Sequence, residues 1–209
     1  MESLKWMAIK SFFETRRGTE RIIKKEGYAG EFYETIEKAK PNPGHYALAQ
    51  LEKLGILKCL ITQNVDNLDR AAGVRNIVEI HGNLFLVRCI QCGSRYPREK
   101  ISLEVLPPRC PKCNEILKND GVMFGEPIPI DVLEKCQIEI GRCDCMLIAG
   151  TSAFVYPVAR FPRDLAMRGG SLIEINFSKT PLTHMCEVSL RGKTGEYLPK
   201  IVERIMRIR

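Results

Sequence analysis

The stretch "ILKCLITQNVDNLDRAAGVRNIVEIHG", residues 56–82, holds the clearest structural pattern in the chain. Its first seven residues, ILKCLIT, form an apolar run without polar alternation, the mark of a strand buried on both faces. NLDRAAG then reads as a short helix or turn, and NIVEIHG as a second strand of the same kind. The pattern continues outward in both directions. Upstream, KPNPGHYALAQLEKLG is a helix with Asn42 as cap, Pro43 in the first turn, a Leu48, Leu51 and Leu54 stripe, and Gly55 as stop. Residues 3–39 read as helical, broken at Gly18, Gly27 and Gly30. Downstream, LFLVRCI leads into a cysteine-rich region; IDVLEKCQIEI (130–140) is a helix and CMLIAGTS a strand ending in a small-residue turn. YPVARFPRDLAMRGG is a helix interrupted by Pro162, SLIEIN and CEVSLRG are strands, and GEYLPKIVERIMRIR is a closing helix. Apolar strands separated by helices predict an α/β fold with a mostly parallel sheet covered on both faces.

Such sheets bind ligands beyond the carboxyl ends of their strands. The residues there are Gln63, Asn64 and Asp66; His81; Gly150, Thr151 and Ser152; and Asn176 with Ser178. Two amides and a carboxylate after ILKCLIT exceed what a turn requires, although an Asn/Asp turn capping the next helix would use the same residue types. Gly-Thr-Ser and Asn176 add the small donors and close backbone approach that phosphates and ribose need. His81 shares that edge and can accept a proton near neutral pH.

The chain has 209 residues with 44% hydrophobic content, enough for one substantial core and a small satellite module. Its net charge of +7, from 32 basic and 25 acidic residues, is spread along the chain, which reads as a solvated basic surface before it reads as a nucleic-acid footprint. No apolar run reaches the roughly 18 residues that span a bilayer, and MESLKWMAIKSFFETRRG lacks the apolar stretch of a secretory signal. Nine cysteines, five of them scattered, suit a reducing compartment, so a soluble, cytoplasmic protein without a membrane partner is expected.

The other four cysteines are spaced Cys89-x2-Cys92, 17 residues, Cys110-x2-Cys113, the two-knuckle pattern of a structural zinc site. Four thiolates close a tetrahedral shell and leave no position for water, so the expected Zn²⁺ holds structure and does not catalyse. His81 lies outside both knuckles and is not needed as a ligand.

Several motifs together resemble the sirtuin family of NAD-dependent protein deacylases: TQNVDNL (62–68), EIHG (79–82), the paired cysteines, VMFGE (122–126), GTSAFVYP (150–157), EIN (174–176) and GEYLPKIV, in the family's order. The resemblance implies a Rossmann-type domain, 1–209, carrying a zinc-ribbon insertion at 83–121 and a helical segment at 1–40. NAD and an acylated lysine of a protein substrate would meet in the cleft between them. Gln63, Asn64 and Asp66 would line the nicotinamide and ribose region, with Asp66 engaging the carboxamide. His81 would be the general base on a ribose hydroxyl. Gly150, Thr151 and Ser152 would face phosphates and ribose, Asn176 and Ser178 the adenosine half, and Thr194 the adenine. Val122 and Phe124 would flank the acyl-lysine tunnel, with the peptide backbone adding as a strand between the segments around Gly125 and Val155. The implied products are free lysine, nicotinamide and an O-acyl-ADP-ribose.

The chain departs from the family in lacking the opening strand, the Gly-Ala-Gly phosphate loop and a Pro-Asp-Phe-Arg segment. A missing central strand would leave two neighbours with unpaired edges, so either the sheet closes by rearrangement, or another chain fills the gap, or the chain is a fragment of a longer reading frame; the expectation is the fragment, poorly soluble and weak in NAD binding when made alone. Asp69 stands where the family usually has histidine, and Lys118-Asn119 where it usually has Arg-Pro. The alternative is a non-catalytic zinc-containing module that binds acyl-lysine or NAD-like ligands without turnover. A zinc-ribbon nucleic-acid binder finds modest support in Arg88, Arg95, Tyr96, Arg98 and Arg109.

Overall fold

A computed structural model describes residues 34–102, 106–123 and 125–208, together with the backbone of residues 2–4. The main sheet has six strands: β1 (Glu2–Leu4), β2 (Leu60–Thr62), β3 (Ile77–Glu79), and then β7 (Cys145–Ala149), β8 (Ser171–Asn176) and β9 (Val188–Arg191). Their order is β3-β2-β1-β7-β8-β9, and every pairing is parallel. This is the strand order of a doubly wound dinucleotide-binding sheet, which reverses direction beside its first strand. The α/β expectation therefore holds.

One part of it is corrected. The position expected to be vacant at the centre of the sheet is filled by Glu2–Leu4, which pairs with Leu60–Thr62 on one side and Leu147–Ala149 on the other. Three residues of extended backbone supply the ladder that both neighbours need, whatever side chains they carry. Leu4 accordingly belongs to a strand and not to the predicted helix over 3–39. Within that range residues 34–38 are helical, and 5–33 lie outside the described residues. The Gly-Ala-Gly loop remains absent from the sequence.

Helix α1 (Pro43–Lys53) forms as its sequence dictates. The Asn42 side chain accepts from the Gly44 and His45 amides at 2.8 and 3.4 Å, and His45 Nδ1 accepts from the Asn42 amide at 3.0 Å. The Gly44 amide gains the partner it otherwise lacks, and the His45 amide, which also donates to the Asn42 carbonyl at 3.0 Å, a second one, an arrangement worth about 1 kcal/mol. α1 buries Leu48 and Leu51 with Leu198 and Val202 of α5 (Thr194–Ile208) on one face of the sheet, over Leu60, Ile77, Ala149 and Ile175. A Cβ at Gly44 would come within 3.2 Å of Gly195 Cα, so the two helices touch backbone to backbone.

The opposite face carries α3 (Ile130–Arg142), whose Cys136 and Ile140 meet Ile61, Val78 and Ile80. Beside it, α4 (Phe161–Met167) sets Leu165 against Met146, Ile148 and Leu172. Pro162 does not interrupt α4; it occupies the first turn, where a missing N–H costs nothing. A second, antiparallel sheet of order β5-β4-β6 is formed by Arg95–Pro97, Leu86–Cys89 and Leu117–Asn119. No helix among the described residues is long and apolar enough to cross a membrane.

Candidate functional site

The carboxyl ends of β2, β3, β7 and β8 bring the sequence-derived candidates to one edge. Gln63 and Asn64 follow β2 and are 4% and 2% exposed, too deep for amides that only close a turn. Gln63 Nε2 donates to Thr151 Oγ1 at 3.2 Å, joining the end of β2 to the end of β7. Thr151 Oγ1 also accepts from the Ala153 amide at 3.2 Å, and Thr151 O accepts from Asn176 Nδ2 at 2.8 Å. One buried threonine thus ties three strand ends together. Gly150 and Ala153 lie at φ 62° and 56°, so the chain between them folds back tightly, with Ser152 between Thr151 and the turn. Ser178 lies exposed beyond β8, and Thr194 opens α5.

His81 sits in the turn after β3, half-buried, its Nδ1 3.3 Å from the Gln63 carbonyl. A carbonyl can only accept, so this contact assigns the proton to Nδ1 and makes Nε2 the acceptor nitrogen. The main chain around it is fixed by Gly82, at φ 79°, where an added Cβ would meet Asp120 O at 2.1 Å. That close approach lets His81 O accept from the Val122 amide at 2.9 Å, so the histidine turn and the VMFGE segment share a backbone bond. Gly125 is exposed at φ 84° and Val155 is half-buried; Phe124 lies outside the described residues.

Asp66 is half-buried, and Oδ1 accepts from the Leu68 amide at 3.0 Å. Burial raises its carboxyl above the ordinary range and Glu79 pushes the same way, while the Leu68 amide pulls down. A carboxyl so placed exchanges hydrogen bonds with a neutral amide at less cost than an exposed carboxylate does.

The four cysteines converge, with all Sγ atoms within 4.8 Å of one another. Cys89 and Cys113 sulfurs lie 3.4 Å apart, Cys92 and Cys110 sulfurs 3.7 Å. Tetrahedral Zn²⁺ with Zn–S bonds of about 2.3 Å has edges of about 3.8 Å, so this donor set fits the ion. Each knuckle turns on a left-handed residue just after its second cysteine, Gly93 at φ 69° and Asn114 at φ 59°. Beneath them Val87, Cys89, Cys110 and Leu117 make a small core of their own.

Some residues that shape the site were not singled out from sequence. Asn83 donates to Glu79 Oε1 at 2.6 Å and to Asn67 Oδ1 at 2.8 Å, while its amide donates to Asp120 Oδ2 at 3.1 Å. Glu126 accepts from Lys118 at 2.5 Å, Arg88 at 3.1 Å and the Met123 amide at 3.1 Å, clamping VMFGE to the second sheet. The signal lay in Arg88 of RCIQC and in Lys118 and Asp120 of LKNDG, which look like solvated surface until the fold apposes them. Arg88 and Arg95 pair with Asp120, and Arg109 with Glu115, so much of the basic charge around the knuckles is already matched by carboxylates.

Parallel strand ends carrying amides, hydroxyls and one carboxyl beside a histidine, with a four-thiolate module alongside, define a nucleotide-dependent enzyme of the α/β class. The Sir2 family model matches residues 8–157, and the chain belongs to that family. It is 44% identical over 187 residues to an NAD-dependent protein deacylase of Pyrococcus abyssi, covering 85% of this chain and 75% of that one. It is 45% identical over 172 residues to NAD-dependent protein deacylase 1 of Archaeoglobus fulgidus, covering 82% and 70%. A solved Sir2 homolog–NAD complex superposes with a TM-score of 0.78 at 38% identity, over 99% of this chain and 88% of that chain. A Sir2–p53 peptide–NAD⁺ structure gives 0.76 at 26% identity, over 99% and 92%.

Proposed function

We propose that this chain removes acyl groups from protein lysines in an NAD-dependent reaction, with His81 as general base. The observation that carries the reading is the Nδ1 contact of His81 with the Gln63 carbonyl at 3.3 Å, at the edge where amide and hydroxyl side chains gather. It holds the imidazole in the tautomer a base requires, on a turn fixed by Gly82. NAD would supply the electrophilic anomeric carbon to which the acyl oxygen adds as nicotinamide leaves; attack of the deprotonated ribose hydroxyl on the acyl carbon would expel lysine, and one water consumed would complete the balance, giving lysine, nicotinamide and O-acyl-ADP-ribose.

In this reading His81 takes a proton from a ribose hydroxyl. Asp66 engages the nicotinamide carboxamide, and Gln63 and Asn64 line the adjoining ribose. Gly150, Thr151 and Ser152 face phosphate and ribose, Asn176 and Ser178 the adenosine half, and Thr194 the adenine. Val122, Phe124, Gly125 and Val155 receive the acyl-lysine and its backbone. The four cysteines hold one Zn²⁺ that keeps the second sheet folded, and residues 83–121 act as an insertion in a single catalytic domain. The nine cysteines support a reducing, cytoplasmic location.

The test is nicotinamide release from NAD with a panel of acylated peptides. His81→Asn is expected to lower turnover roughly 10²- to 10⁴-fold with zinc content unchanged. Unaltered turnover in that variant would refute the assignment, and peptide binding without release would select the non-catalytic module.

A further inference from the structure

The strand SLIEIN contains a charge where its pattern calls for a leucine. Glu174 faces the same side of β8 as Leu172, and both are buried, Glu174 with 0% exposure. A fully buried carboxylate costs several kcal/mol unless charge and hydrogen bonds match it. Here they do. Glu174 Oε1 accepts from the Thr180 hydroxyl, and Oε2 from Thr183 Oγ1 at 2.8 Å, Ser189 Oγ at 2.9 Å and Arg191 Nη2 at 2.6 Å. Burial pushes the carboxyl up, but hydrogen bonds from Thr180, Thr183, Arg191 and Ser189 outweigh it and hold it below its ordinary range.

The donors are not scattered. In the β8–β9 register Ser189 lies opposite Glu174, and Arg191 lies opposite Asn176. Thr180 and Thr183 belong to the connection that leaves β8 through Phe177 and Ser178. Its two hydroxyls also accept main-chain amides, Leu182 N to Thr180 Oγ1 at 3.1 Å and Thr180 N to Thr183 Oγ1 at 2.8 Å. Arg191 completes the arrangement from the other strand: Nη2 reaches Glu174 while Nη1 donates to the Ser178 carbonyl at 2.8 Å. The loop after β8 is therefore fixed from below by one carboxylate and from the side by one guanidinium.

We infer that Glu174 and Arg191 are positioning residues for the adenosine half of the dinucleotide, setting Asn176 and Ser178 for recognition without touching the ligand themselves. This rests on the proposed function, which places adenosine at Asn176 and Ser178. Replacing a buried ion pair by apolar residues of similar volume is often neutral or stabilising, so stability alone is a weak reason for a charge at this position. A rigid loop on the ligand edge gains affinity because the ordering is already done before binding. Because these residues act at one end of the dinucleotide, away from His81, their loss falls on NAD affinity and not on the chemical step.

The experiment measures kcat, KM for NAD and KM for an acylated peptide in the unaltered chain, Glu174→Gln and Arg191→Lys, with melting curves to fix the folded fraction. Arg191 is a third exposed, so Arg191→Lys keeps the charge beside Glu174 and loses the forked reach to Ser178. Both variants are expected to raise KM for NAD about tenfold while kcat and the peptide KM stay within about twofold, the size of one charge-assisted hydrogen bond lost. If Arg191→Lys folds as the unaltered chain does and its KM for NAD is unchanged, the inference is overturned. It is equally overturned if kcat and both KM values move together with the folded fraction, the signature of a purely structural role. An unaltered chain that neither binds NAD nor releases nicotinamide would overturn the proposed function, and this inference with it. An active unaltered chain with unmoved variants would remove the inference alone.

Discussion

Asp69 carries a prediction whose size follows from its surroundings. The side chain is 2% exposed in the first turn of α2 (Leu68–Ala71), and Oδ1 has no hydrogen-bond partner among the described residues. Burial pushes its carboxyl up, Asp66 and Glu79 push the same way, the Thr62 hydroxyl pulls down, and the result is about 7. An unfolded chain holds an aspartate near its ordinary value of about 3.9. The native state therefore keeps a proton that the unfolded state releases, and between pH 4 and pH 7 stability from this group falls as pH rises. Above pH 7 the loss is complete, about 3 pKa units or about 4 kcal/mol. Asp69→Asn keeps the shape and cannot ionise. Its stability relative to the unaltered chain should be near level at pH 4 and higher at pH 8 by up to about 4 kcal/mol, each kcal/mol raising Tm by about 2–4 °C at this size. Urea and thermal melts of both proteins across pH 4 to 8 measure the difference. Parallel curves, with the gap independent of pH, would mean that folding does not raise the Asp69 carboxyl.

Two further substitutions probe the turn and the metal module. Gly82→Ala would place a methyl 2.1 Å from Asp120 O at a left-handed backbone position, so it should cost roughly 1–3 kcal/mol in a melt. Because that contact aligns His81 with Val122, nicotinamide release should fall more than NAD binding measured by calorimetry. Cys110→Ser removes one of two buried sulfurs in the four-thiolate cluster. Zinc measured by atomic emission should drop from one equivalent per chain toward none, with the small core of Val87 and Leu117 becoming protease-sensitive, since zinc binding contributes roughly 10–16 kcal/mol in small peptides.

Much of this architecture was legible because it is written locally. Asn42-Pro43 caps its helix through contacts two and three residues away, and the cysteine spacing is itself the geometry of the knuckles. Apolar runs without alternation identified the parallel sheet, and its carboxyl ends identified the edge where Gln63, Thr151, Asn176 and His81 meet. What escaped depends on partners distant in the chain. Glu2–Leu4 has no apolar run to announce it; its place is defined by backbone pairing with strands that lie far along the sequence. SLIEIN was readable as a strand, but the meaning of Glu174 lies in donors from Thr180 to Arg191. The role of Asp120 likewise emerges only when Gly82 packs on its carbonyl and Arg88 and Arg95 reach its carboxylate.

Acyl removal that consumes NAD at the His81 edge fixes the ratio of its products. The direct measurement is product stoichiometry by mass spectrometry after incubating the chain with NAD and an acylated peptide. One nicotinamide and one O-acyl-ADP-ribose per lysine freed, all three lost together in His81→Asn, is the expected outcome. Free carboxylic acid formed without nicotinamide, or nicotinamide released without the peptide, would contradict it.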